Sequence, residues 1–167
     1  MSTTTIDPVE RLLDNADQGH MIIKNPNVLR HDYIPERILH RDKQQELVTQ
    51  SLIPLYRKSI PPNLLVYGKP GTGKTLVIKK VLNQIQNRVD KNSYRIKIVI
   101  TNAKEQSNLY NVLVDLGRQL GLKPKKTPDD KLWLPNTGLS ISEVFNRILY
   151  IIEKNKINSV FVIDEID

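Results

Sequence analysis

Apolar positions along the chain switch between two spacings. From Asp42 onward Leu47, Val48, Leu52, Ile53 and Leu55 recur at intervals of a helix buried on one face, until Pro61-Pro62 forbids continuation. Leu64 to Tyr67 is instead a short unbroken apolar run ending in a glycine-rich turn, which predicts a fully buried parallel strand. Helical spacing resumes at once. Val77, Ile78, Val81, Leu82, Ile85 and Val89 share one face of a helix starting near Lys74, and Asp90 to Ser93 supplies a polar break. Tyr94 to Thr101 reads as a second strand, and Leu109, Val112, Leu113, Leu116 and Leu120 mark another helix, stopped by Gly121. Residues 122 to 138 form a polar loop. Ser140 or Ser142 then caps a helix carrying Val144, Ile148, Ile151 and Ile152, and Ser159 to Ile163 is a third buried strand. Upstream, MSTTTI is small and polar and reads as unstructured, Asp7-Pro8 opens a short helix through Asp14, and residues 24 to 37 read as an ordered extended connection. Strands alternating with helices predict an α/β fold around a parallel sheet.

Composition narrows the function. The 167 residues are 39% apolar and 26% charged, the balance of a globular domain with one core. No apolar run approaches the roughly 20 residues that span a bilayer, and the N-terminus has no basic or apolar signal segment, so no membrane partner is expected. Without cysteine there is no thiolate metal site, and His20, His31 and His40 lack helical ligand spacing. A net charge of +7 favours a polyanionic partner. Between Lys69 and Lys97 eight basic residues face the single acid Asp90, although a solvated basic face has the same composition.

Two motifs carry chemistry. Gly68-Lys69-Pro70-Gly71-Thr72-Gly73-Lys74-Thr75, followed by Leu76, fills every fixed position of a phosphate-binding loop and sits between a predicted strand and a helix. Glycines let backbone amides and the helix N-terminus approach a phosphate. Lys74 then reaches the β and γ phosphates of ATP, and Thr75 ligates Mg2+ through its hydroxyl. The bland alternative is a glycine-rich turn that binds nothing. The second motif, Val160 to Glu165, is an apolar strand ending in two acids at the end of the sheet where open α/β folds bind ligands. Asp164 is expected to hold the metal and Glu165 to activate the attacking water, whereas Asp-Glu by itself is most often a solvated strand end. Trp133, between Leu132 and Leu134, reads as a packing anchor for its loop, with base stacking the alternative. Lys123, Lys125 and Lys126 read as loop solvation, and His40-Arg41 as an exposed basic pair or the lining of a nucleotide pocket.

With those residues in hand, the chain resembles the N-terminal part of the archaeal replication initiators related to origin recognition complex subunit one and cell division control protein six. The resemblance covers about residues 20 to 167. It rests on Asn25-Pro26 with Val28-Leu29-Arg30, on Asp32 to Arg37 running into His40-Arg41-Asp42, on Gly68 to Thr75, on Leu134 to Ser140, and on Val162 to Asp167. It implies an AAA+ nucleotide switch that uses ATP and Mg2+, binds origin double-stranded DNA, works with the replicative helicase or other initiator subunits, and resides in the cytoplasm at the nucleoid. It places Ile34, Pro35 and His40 against the adenine. It also implies an added DNA-facing helix, here Ser107 to Leu120, which makes Lys123, Lys125 and Lys126 candidates for phosphate contact.

The expected fold is a P-loop NTPase (AAA+) parallel sheet flanked by helices and truncated before the sheet is complete. In the family a further sensor strand separates the strand before Gly68 from the one ending at Asp164. Residues 1 to 20 are expected to be a flexible segment with a short helix, and 21 to 167 the N-terminal part of the ATPase domain, with the lid and winged-helix domains absent. ATP hydrolysis belongs to the intact family, while this fragment is expected to bind poorly or be inactive. Two other readings are another AAA+ ATPase, such as a helicase loader or signalling ATPase, and a non-enzymatic regulatory fragment.

Overall fold

The structure is a computed structural model that describes residues 7–17, 19, 25–30, 33–57, 59–92, 94–126 and 129–166. The unstructured reading of residues 1 to 6, the histidines His20 and His31, and Asp32 and Asp167 of the resemblance lie outside them. Two compact units divide the chain at Arg37 and Ile38.

In the first unit, α1 spans Pro8–Asp17, three residues beyond the expected end, and its start is the expected one: Asp7 Oδ1 accepts from the Val9 amide at 2.8 Å. Residues 26–29 are a 3-10 turn and not wholly extended, because the Asn25 side chain accepts from the Asn27 amide at 3.0 Å and Pro26 supplies the starting φ.

The second unit is a three-layer α/β/α arrangement. Helix α2 spans Asp42–Leu52, α3 Lys74–Lys91, strand β1 Ile96–Asn102, α4 Ala103–Gln106, α5 Leu109–Leu120, α6 Ile141–Asn155 and strand β2 Asn158–Asp164. Helix α2 gives way to a 3-10 turn at Ile53–Arg57 earlier than the double proline requires, since Pro54 already has no amide to donate. Ser140, not Ser142, caps α6, accepting from the Glu143 amide at 3.1 Å. Gly121 ends α5 at a φ of 113°.

Strands β1 and β2 pair in parallel, from Ile96 opposite Asn158 to Asn102 opposite Asp164. On one face Ile96, Ile98 and Ile100 pack with Val48, Leu52, Val81 and Ile85 of α2 and α3. On the other, Val99 packs with Leu116, Leu120, Val144 and Ile148 of α5 and α6. This is the parallel sheet between helix layers that the alternating pattern predicts.

Two expectations fail together. Leu64 to Tyr67 is not a buried strand: it forms no ladder, and Leu65 and Tyr67 are 75% and 86% exposed. Strand β2 forms but is only half buried, with Phe161 and Ile163 each 41% exposed. Both follow from one cause. A parallel strand satisfies its backbone only against a neighbour, and the sole described neighbour of β2 is β1. The sheet is incomplete, as the resemblance leads one to expect.

Candidate nucleotide site

The glycine-rich segment makes a tight turn into α3. Gly71 and Gly73 have φ of 72° and 81°, a left-handed region where a side chain costs about 1–2 kcal/mol. Gly68 to Thr72 are exposed and Gly73, Lys74, Thr75 and Leu76 half-buried, so the loop faces solvent while the helix behind it anchors in the core through Val77. Three side chains fix the shape of this turn. Thr72 Oγ1 donates to the Lys69 carbonyl at 2.9 Å, and Arg41, one residue ahead of α2, donates from Nη2 to the Thr72 carbonyl at 3.1 Å. Lys74 Nζ donates to the carbonyls of Gly68 and Lys69 at 2.9 and 3.1 Å. The lysine therefore folds back over its own loop, into the place an anion would take.

The two motifs meet. Thr75 Oγ1, on the first turn of α3, donates to Asp164 Oδ1 at the end of β2 across 3.2 Å, although 89 residues separate them. The same Asp164 oxygen accepts the Glu165 amide at 3.1 Å. Glu165 itself stands at a φ of 52° and turns toward β1, where Oε2 accepts from Asn102 Nδ2 at 3.0 Å. Asn102 was not singled out in the sequence. The parallel register that sets it beside Asp164 was the missing information. Thr75 and Asp164 are hard oxygen donors, the chemistry magnesium prefers, and a nucleotide-borne ion takes its other ligands from phosphate and water. Among the described residues no group of three or more His, Cys, Asp and Glu could form an all-protein metal cage.

Beside the loop opens a cavity of about 220 Å³, with Val48, Val66, Val77 and Ile78 as apolar wall and Arg41 and Gln44 as polar wall. Of the basic pair, Arg41 lines it. His40 is exposed at a φ of 57°, and its carbonyl accepts from Arg41 Nη1 at 3.5 Å. Ile34 and Pro35 belong to the first unit, where both are half-buried. Lys123, Lys125 and Lys126 are exposed on the segment between α5 and α6. Trp133 is half-buried, and its indole N–H donates to the Pro124 carbonyl at 3.2 Å.

Everything from the loop to the paired acids falls within residues 59–167, which the sequence model described as an AAA domain matches. The chain belongs to the AAA domain family. This AAA domain chain is 54% identical over 164 residues to an ORC1-type DNA replication protein of Cenarchaeum symbiosum, covering 98% of this chain and 38% of that protein. It is 33% identical over 159 residues to ORC1-type DNA replication protein 1 of Sulfurisphaera tokodaii, covering 95% and 36%. Among solved structures it is similar to the Aeropyrum pernix ORC1 protein in complex with DNA, with a TM-score of 0.72 and 29% identity over 82% of this chain and 33% of that one. The resemblance to the archaeal initiators holds along nearly the whole chain, which spans little more than a third of these relatives. No helix among the described residues is long and apolar enough to cross a membrane.

Proposed function

We propose that the chain is the ATP-binding part of a DNA replication initiator, a nucleotide switch that acts on origin DNA at the nucleoid. The observation that carries the nucleotide reading is the Thr75–Asp164 hydrogen bond, which brings the two motifs to one point. Gly68 to Leu76 cradle the phosphates, and Lys74 leaves its two carbonyl partners for the β and γ oxygens. Thr75 and Asp164 hold the ion, which when bound neutralises charge on the phosphates. The cavity edged by Arg41 is smaller than the roughly 300 Å³ of a full ligand pocket, which suits the base alone. His40, next to Arg41, adds to the adenine contacts.

Glu165 is the base for hydrolysis, orienting a water toward the γ phosphate. Its bond to Asn102 holds the carboxylate at the end of β1, a resting position from which it must turn before water can be activated. Slow turnover is the consequence. Lys123, Lys125 and Lys126 add contacts to the DNA backbone, and the replicative helicase or other initiator subunits are the protein partners. The ORC1-type relatives favour this reading over another AAA+ enzyme or a regulatory piece.

Calorimetric titration of ATP with and without magnesium tests the assignment. Magnesium should tighten binding to the parent chain, and Asp164→Asn should remove most of that gain while leaving metal-free binding unchanged. Equal magnesium dependence in both proteins would take Asp164 out of the site.

A further inference from the structure

Between α5 and α6 the sequence is polar, yet α6 holds its residues 129–134 through several contacts. Residues 143, 147, 150 and 154 are spaced by four, three and four, so they form one stripe on the helix beside the buried stripe of Val144, Ile148 and Ile151. Arg147 donates from Nη1 to the Asp130 carbonyl at 2.6 Å and also to the Trp133 carbonyl, while Nη2 is held by Glu143 Oε1 at 2.8 Å. Its guanidinium lies 5.6 Å from the centroid of the Trp133 ring. One helical turn on, the Tyr150 hydroxyl and Lys154 Nζ both donate to Asp129 Oδ2, at 2.9 and 2.7 Å.

The grip passes to the lysines through the backbone. The Lys123 amide donates to the Leu132 carbonyl at 2.8 Å, and the Leu134 amide to the Lys123 carbonyl at 2.7 Å. Trp133 fastens Pro124 as well. The limb carrying Lys123, Lys125 and Lys126 is thus tied to residues 129–134, and those to α6, while the three lysine side chains stay exposed.

We propose that this stripe of α6 positions the lysine limb for a nucleic-acid phosphate backbone, with Arg147 as its central positioning residue. The inference rests on the DNA-contact reading of those lysines. A slack loop would have to be ordered when DNA binds, and that ordering opposes affinity; a loop already held by α6 avoids most of it. Arg147 acts through geometry and not through its charge, because Nη1 is committed to two carbonyls and Nη2 to a carboxylate.

The test measures affinity for a random-sequence duplex as a function of salt, on the whole chain. Replacing Lys123, Lys125 and Lys126 with alanine should flatten the slope of log affinity against log salt by about three, roughly 0.9 per contact. Arg147→Lys keeps the charge but cannot span both carbonyls, and should weaken binding about tenfold at low salt with the slope unchanged. Tyr150→Phe removes one hydrogen bond and no charge, cannot disturb the core, and should weaken binding about threefold. Nucleotide affinity, measured on every variant, should not move. If the triple substitution flattens the slope but Arg147→Lys and Tyr150→Phe bind like the parent, the positioning role is overturned and the lysine contacts stand. If the triple substitution leaves the slope where it was, the DNA reading fails and the positioning role with it. Should Arg147→Lys not fold, Tyr150→Phe decides alone.

Discussion

At Gly117, α5 packs tightly against Leu122 and Leu134 of the segment that follows it. A Cβ built there would stand 2.8 Å from Leu134 Cδ2, 3.0 Å from Leu122 Cδ1 and 3.3 Å from Ile148 Cγ1. Carbon atoms pack best at about 3.5–4.0 Å, so Gly117→Ala sets a methyl into three contacts that are all too short. The neighbours have little room to retreat, being 0%, 2% and 2% exposed in the same order. Two effects oppose each other. Alanine is worth about 1 kcal/mol over glycine inside a helix, whereas overpacking a tight core costs about 1–3 kcal/mol. With the shortest approach below any normal contact, overpacking should prevail, and the net loss should be about 1 kcal/mol. Gly117→Val adds two more carbons and a β-branch without more space, and should lose about 3 kcal/mol. Urea unfolding followed by far-ultraviolet circular dichroism is the assay, with a lower midpoint and an unchanged slope expected. An alanine variant with a midpoint equal to or above the parent's would refute the reasoning, since it would mean that Leu134 and Leu122 swing aside freely.

Lys74→Ala should weaken ATP binding at least tenfold in calorimetry by removing a charged phosphate contact; unchanged affinity would remove Lys74 from the site. Asn102→Ala should free Glu165 and raise steady-state ATP turnover several-fold without changing nucleotide affinity, and an unaltered or slower rate would show that the bond does not restrain the base. Leu65→Ser, at an exposed position outside the cavity wall, should leave ATP affinity within about twofold; a tenfold loss would mean that the extended segment supports the loop. Hydrogen bonds first from Lys154 and then from Tyr150 hold the Asp129 carboxyl below its usual range. That contribution is complete above the unfolded value of about 3.9 and is lost as pH falls through the lower folded value. Fluorescence of Trp133, the chain's one tryptophan, should therefore stay level from pH 7 to about pH 4 and change only below. Asp129→Asn should already differ at neutral pH and lack the acid step; a parent-like profile would detach Asp129 from the loop's hold.

The sequence announces those parts of the candidate site that one short segment carries. Gly68 to Thr75 are legible because tight turning, amide exposure and a lysine are all needed within eight positions. Helices α3, α5 and α6 are legible for a similar reason, since each buries one stripe and carries its stop signal next to it. Long-range pairing is another matter. Leu64 to Tyr67 has the composition of a buried strand, but burial depends on what lies alongside, and local spacing holds no record of that. Asn102 escaped notice because only the register of β1 on β2 sets it within reach of Glu165. The clasp on Asp129 hides in the same way: the stripe at 147, 150 and 154 is readable as one side of a helix, whereas its partners on a polar loop are not.

The glycine-rich loop keeps its form although the segment leading into it joins no strand ladder, and the contacts say why. From behind, Val77 and Val81 anchor α3 in the core, with Val81 packed among α2 and β1 residues. At the crest, Arg41 takes the Thr72 carbonyl, and at the end of β2 Thr75 meets Asp164. None of these three supports passes through Leu64 to Tyr67. On the proposed function, holding phosphate depends on α2, α3 and β2, while activating water depends on where Glu165 points, and Glu165 is bonded from β1 by Asn102. The two halves of the proposed chemistry rest on different strands. A nucleotide switch of the proposed kind needs that separation, since its nucleotide must be held through an interval in which it is not yet cleaved.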